Sequence, residues 1–166
     1  MIALAIRSSG HHFGAFCSTT EDNILVDVAH LDTIEFNEQD GTCVVGAGCR
    51  LGDVSEALAE HGASVPHGEC TWVAVGGHVQ TGGYSPSFSR SFGYFCDHVK
   101  WFDIVLAPTK PGEVPPTQRI VKPGSTGASA QNDDIWWAVL GRSPGLKLTA
   151  MVLSAAQYFT GKSVSS

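Results

Sequence analysis

A chain of 166 residues is long enough for one domain with its own core, and 43% apolar with 16% charged residues is a globular composition rather than a disordered one. Sixteen acidic against ten basic side chains give a formal charge of −6, and no two Lys or Arg are adjacent, so the sequence carries no nucleic-acid footprint. No apolar run approaches the ~18 residues of a membrane span, and residues 1–6 are too short and lack the basic start of a signal peptide, so localisation is unknown from the sequence.

Residues 2–6 form a short continuous apolar run and read as a buried parallel strand. The strand feeds a turn of small residues, Arg7-Ser8-Ser9-Gly10-His11-His12-Phe13-Gly14, whose outward N–H groups would make an anion-binding nest. Residues 24–28 read as a second strand. Residues 33–36 alternate as a third, and 37–41 close a hairpin returning through 42–45. A helix over 51–61 puts Leu51, Val54, Leu58 and His61 on one face, with Asp53 and Glu56 in its N-terminal half and Gly62 just past its end.

Residues 66–83, PHGECTWVAVGGHVQTGG, organise the rest. Glycines fall in pairs at Gly76, Gly77 and at Gly82, Gly83, and Cys70 precedes the first pair. Glycine allows close backbone approach to a flat ligand or a phosphate. The window reads either as a cofactor bed or as an ordinary Gly-rich loop with a buried structural Cys. Residues 73–82 contain a short helix. Residues 84–95 are irregular and aromatic, 98–107 hold a strand, and 108–116 are a Pro-rich loop. Residues 117–121 make the returning strand, and a helix over 132–140 has Asn132 as N-cap. The five cysteines, Cys17, Cys43, Cys49, Cys70 and Cys96, form no C-x-x-C pair. His11, His12 and Cys17 fit no common zinc spacing, so no metal is expected.

Read together, the Arg7–His12 turn and Gly68-Glu69-Cys70…Gly76-Gly77-His78…Gly82-Gly83 resemble the FAD-linked oxidases of the vanillyl-alcohol-oxidase (p-cresol methylhydroxylase, PCMH-type) fold, in their berberine-bridge-enzyme-like branch. Ser89-Arg90-Ser91-Phe92-Gly93 with Asp97-His98-Val99, and residues 132–141, continue the likeness, which covers roughly residues 3–145. Ser9, Ala74 and Ser85 depart from it, each standing where the family has glycine. The resemblance implies an α+β FAD-binding domain of two small sheets flanked by helices, spanning 1–145. Its cofactor-binding residues would be Arg7, Ser8, Ser9, Gly10, His11, His12, Phe13, Gly68, Cys70, Val73, Gly76, Gly77, His78, Gly82, Gly83, Asp97 and Val99. It further implies covalent flavin links from His11 to the 8α carbon and from Cys70 to C6. Hydride would pass from a small-molecule substrate to flavin N5, with dioxygen as acceptor. The other four cysteines are left as thiols or as two bridges. A helix starting within 71–75 would favour the Cys70 thiolate.

The family's catalytic base and substrate pocket lie mostly in a substrate domain that the sequence does not continue into, so the catalytic residue is unknown. The expected reading is a flavin domain incomplete at both ends, with 146–166 a divergent tail. The alternative is a truncated remnant that binds FAD weakly or not at all. Two further expectations follow. Ile6, Val26 and Val44 would share one sheet, with FAD between it and a sheet containing Val105. Trp136 and Trp137 would expose apolar area, making the chain poorly soluble.

Overall fold

The computed structural model describes residues 4–106, 110, 112–114, 116–142, 152–154 and 157–158. Strand β1 (Leu4–Arg7) pairs in parallel with β2 (Ile24–Asp27), in the register Leu4 to Ile24. A hairpin follows, β3 (Ile34–Asn37) against β4 (Thr42–Gly46). Its turn is fastened by the Asp40 carboxylate, which accepts from both the Thr42 N–H and hydroxyl. Alternation in β4 buries Cys43 and Val45.

Helix α1 (Leu51–Glu60) buries Leu51, Val54 and Leu58, each 1% exposed. Gly62 closes it at φ +61°. His61, expected on the buried face, is instead the C-terminal cap; its ring stacks on Phe36 at 4.1 Å and bonds Glu38. Arg50 supplies no side-chain cap, but the first N–H groups of α1 are not orphaned: Leu51 donates to the Val73 carbonyl and Gly52 to the Thr71 carbonyl. The helix start is thereby stitched to the segment just after Cys70.

Beyond β5 (Ala63–Ser64) and α2 (Val75–Gln80) comes the aromatic stretch. It is more regular than its sequence suggests. A helical turn α3 (Ser89–Phe92) has no side-chain cap, but two serines fasten the chain leading into it: Ser89 Oγ accepts the Ser85 N–H, and Ser85 Oγ accepts the Phe88 N–H. Ser85, a departure from the family's glycine, thus builds the turn after Tyr84. A 3₁₀ segment (Phe95–His98) follows. Strands β6 (Trp101–Val105) and β7 (Thr117–Val121) form an antiparallel pair, with Arg119 bidentate to Asp103 and its guanidinium 3.7 Å over the Trp101 ring.

Helix α4 (Ala130–Trp137) continues into a π-turn (Ala138–Arg142). Its N-cap is Ser129, not Asn132. Asn132 is buried in the first turn, where its Oδ1 accepts from Gln118 of β7. Trp136 is 8% exposed and stacks on Phe102 at 5.1 Å, so of the tryptophan pair only Trp137, at 50%, is open to solvent. Short strands β8 (Val152–Ser154) and β9 (Gln157–Tyr158) pair antiparallel to β4 and β5. Val44 therefore lies in a β3-β4-β8 sheet, apart from Ile6 and Val26. A hairpin neighbour and a strand distant in sequence occupy both edges of β4, leaving none for β1. No helix among the described residues is long and apolar enough to cross a membrane.

Candidate functional site

Two segments far apart in sequence build one cavity of about 730 Å³. The first is the turn after β1, which contributes Ser8, Ser9, Gly10, His11, His12 and Phe13. Its glycine at position 10 sits at φ +80°, a conformation other residues rarely adopt. The second runs from Cys70 through α2 and contributes Cys70, Val73, Ala74, Gly76, Gly77 and His78. The volume lies within the ~300–1,000 Å³ usual for cofactor sites. Strand β6 lines none of it, so the cavity is not between Val105's sheet and another; it lies between the β1 turn and α2.

The two segments are fastened to each other. The Ala74 N–H donates to Ser9 Oγ at 2.9 Å. These are two of the three residues that stand where the family pattern has glycine, and they meet. Nothing in their sequence positions signals that contact. Gly76 is packed tightly: an added Cβ would lie 2.8 Å from the Ala47 carbonyl oxygen and 2.9 Å from Ser8 Oγ. Gly77, one residue on, is exposed and lines the cavity, and beyond its chain neighbours and its own helix backbone a Cβ there would meet nothing within 4 Å.

Other predicted site residues lie outside the cavity lining. Arg7 pairs with Asp27 across the parallel strands at 2.8 Å, and that partner, with the Ala29 N–H, holds the Asp27 carboxyl below its usual range. Gly68 donates its N–H to His78 Nε2. Gly82 and Gly83, at φ +95° and +74°, accept the Cys96 and Phe95 N–H groups and carry the chain into the 3₁₀ turn. Asp97 accepts the Tyr94 N–H in a capping box, and Val99 is fully buried. Cys17 lines the cavity although the motifs do not include it; a lone Cys beyond the turn gives no sequence signal.

All five cysteines are free thiols. Burial pushes Cys43 and Cys49 up to about 11, whereas Cys70 is exposed. The helix after Cys70 begins only at Val75, and its first N–H groups are spent on the Cys49 and Ala47 carbonyls. They do not serve the Cys70 thiol. Among the described residues no group of three His, Cys, Asp or Glu is placed to hold a metal.

His12 Nδ1 accepts the Gly14 N–H, and His78 Nε2 accepts the Gly68 N–H at 3.0 Å. Burial, then the neighbouring His67, holds His78 below the usual 6.5. The unfolded chain therefore takes up this proton at higher pH than the folded one. The His78 contribution is complete above 6.5 and is lost as pH falls from there through the folded value. Urea midpoints measured between pH 8 and 5 should fall on the acid side, and His78→Gln should flatten that part of the curve.

Residues 1–110 match the family model described as the FAD binding domain. The chain belongs to this FAD-binding family. The domain is 33% identical over 141 residues to the FAD-linked oxidoreductase pynB of Aspergillus niger, covering 84% of this chain and 23% of that protein. It is 31% identical over 144 residues to aclacinomycin-N/aclacinomycin-A oxidase of Streptomyces galilaeus, covering 86% of this chain and 25% of that one. The chain thus spans about a quarter of the length of these curated relatives. Aclacinomycin oxidoreductase has the same fold in its crystal structure, with TM-score 0.74 and 27% identity over 90% of this chain and 30% of that one. A berberine bridge enzyme variant shares the fold at TM-score 0.74 and 21% identity, covering 94% of this chain and 29% of that one. The FAD-binding domain is therefore the α+β, PCMH-type domain of FAD-linked oxidoreductases, and its cofactor is FAD. The cavity fits that cofactor: its lining is largely apolar, as a flat ring system requires, and Gly77 leaves open the space a side chain would fill.

Proposed function

We propose that this chain is the cofactor-holding part of an oxidoreductase that carries its flavin through two covalent bonds, one from the His11 imidazole and one from the Cys70 sulfur. When bound, the flavin would supply the acceptor for a hydride from a small-molecule C–H or alcohol, with dioxygen as the final oxidant. The observation that carries this reading is that His11 and Cys70, from distant segments, line one cavity of about 730 Å³. A neutral imidazole is a competent nucleophile near pH 7. A cysteine reacts as its thiolate, and exposure leaves Cys70 open to reaction. The turn at Ser8, Ser9 and Gly10 would hold the pyrophosphate, and Gly76, Gly77 and Val73 would lie against the ring. The oxidase and oxidoreductase relatives support the same reaction class. The substrate and catalytic base are not assigned to residues of this chain.

The test is to load the chain with FAD, precipitate it with acid and weigh the denatured protein. The wild type should stay yellow and carry the flavin mass. His11→Ala and Cys70→Ala should each keep a covalent flavin with an altered spectrum, and only the double variant should release it all. An unchanged spectrum in Cys70→Ala would make Cys70 a structural thiol.

A further inference from the structure

The loop carrying Cys70 is gripped from outside the cavity by two side chains that the attachment reading does not use. His67 Nδ1 lies 2.7 Å from the Gly68 carbonyl oxygen, and Nε2 lies 2.6 Å from Ser55 Oγ on α1. A carbonyl oxygen only accepts, so the ring proton is on Nδ1. Nε2 then accepts the Ser55 hydroxyl proton. Both ring nitrogens are thus used, and the ring joins α1 to the backbone two residues before Cys70. On the other side of Cys70, the Thr71 carbonyl accepts the Gly52 N–H, again from α1, at 3.1 Å. The same helix therefore holds the loop before and after the thiol. That helix is itself rooted in the core through Leu51, Val54 and Leu58.

We propose that the Ser55–His67 pair is a positioning device that presents the Cys70 thiol to the cofactor, an inference that rests on the flavin-attachment reading above. In that attachment the sulfur would replace the hydrogen on ring carbon C6: the S–H and C6–H bonds are lost, and the two protons and two electrons released pass to dioxygen, giving peroxide. The sulfur must dwell near ~3–3.5 Å from that carbon, and an unheld loop spends little time there. Neither member of the pair lines the cavity, so neither touches the cofactor itself. His11 is carried by a different turn and owes nothing to this pair. The pair therefore governs one attachment and leaves the other alone.

The experiment uses Ser55→Val, Ser55→Thr and His67→Phe in the whole chain. In the unloaded protein, amide hydrogen exchange at Gly68 and Val73, whose N–H groups are held by His78 Nε2 and the Cys70 carbonyl, should be ~10-fold faster in Ser55→Val and His67→Phe. Ser55→Thr keeps the hydroxyl and should exchange like the wild type. After incubation with FAD, peptide mass spectrometry should show the Cys70 adduct forming ~10-fold more slowly in the first two variants, with the His11 adduct rate unchanged. A general loss of structure would slow both adducts together, and that outcome would overturn the proposal. So would a Cys70 adduct that forms as fast in Ser55→Val as in the wild type; the attachment reading would then stand without the positioning pair. Absence of any Cys70 adduct in the wild type overturns the attachment reading and this inference with it.

Discussion

Gly77→Leu should abolish FAD retention while leaving the fold intact. The position is in α2, is exposed, and has nothing within 4 Å of an added Cβ beyond its chain neighbours and its own helix backbone. Replacing glycine within a helix removes a penalty of about 0.5–1 kcal/mol, so the variant should melt no lower than the wild type. A leucine side chain would instead extend into the cavity that Gly77 lines. We expect affinity for FAD, followed by quenching of flavin fluorescence, to fall by ~100-fold or more, about 2.7 kcal/mol. Gly76→Ala separates the two effects. Its Cβ would press on the Ala47 carbonyl at 2.8 Å, which is backbone and cannot swing aside, so that variant should lose stability as well. Wild-type FAD affinity in Gly77→Leu would mean the cofactor does not lie over this face of α2.

The second large effect is on stability. Phe102 has no exposed surface, faces Ile120 across the β6–β7 ladder and stacks on Trp136 of α4 at 5.1 Å. Phe102→Ala should cost ~3–5 kcal/mol, since the sheet and helix cannot both collapse into the space left. A domain has only ~5–15 kcal/mol in total. The urea midpoint should drop sharply and part of the population should be unfolded without denaturant. A loss below ~1.5 kcal/mol would show that α4 follows the cavity inward.

Local patterns were readable from the residues alone. The period of Leu51, Val54 and Leu58 gave the buried face of α1, and Gly62 its end. The small-residue turn and the Gly-rich segment pointed to one ligand, and both line one cavity. What was not legible is what depends on partners remote in sequence. Val44 follows its hairpin and β8 rather than Ile6, because pairing is decided by which edges are free. Asn132 looked like an N-cap by residue type, but Gln118 claims its side chain. Trp136 and Trp137 are adjacent and identical in kind; only the position of Phe102 decides which is buried. The Ser9–Ala74 bond is the clearest case. Each residue alone is a neutral change from glycine, and the bond exists only because two turns meet.

The five thiols are unequal in a way that sets a clock. Cys43 and Cys49 are buried and held up to about 11, so at neutral pH they stay protonated and out of reach of oxidants. Cys70 is exposed at the lip of an open cavity. In air or peroxide it is the first candidate for sulfenic acid, and beyond the next oxidation step the change is not reversed by thiols. On the attachment proposed above, a freshly made, empty chain would be in a race between cofactor arrival and ageing of its own sulfur. Delay would then leave a well-folded molecule whose flavin can be held through His11 alone.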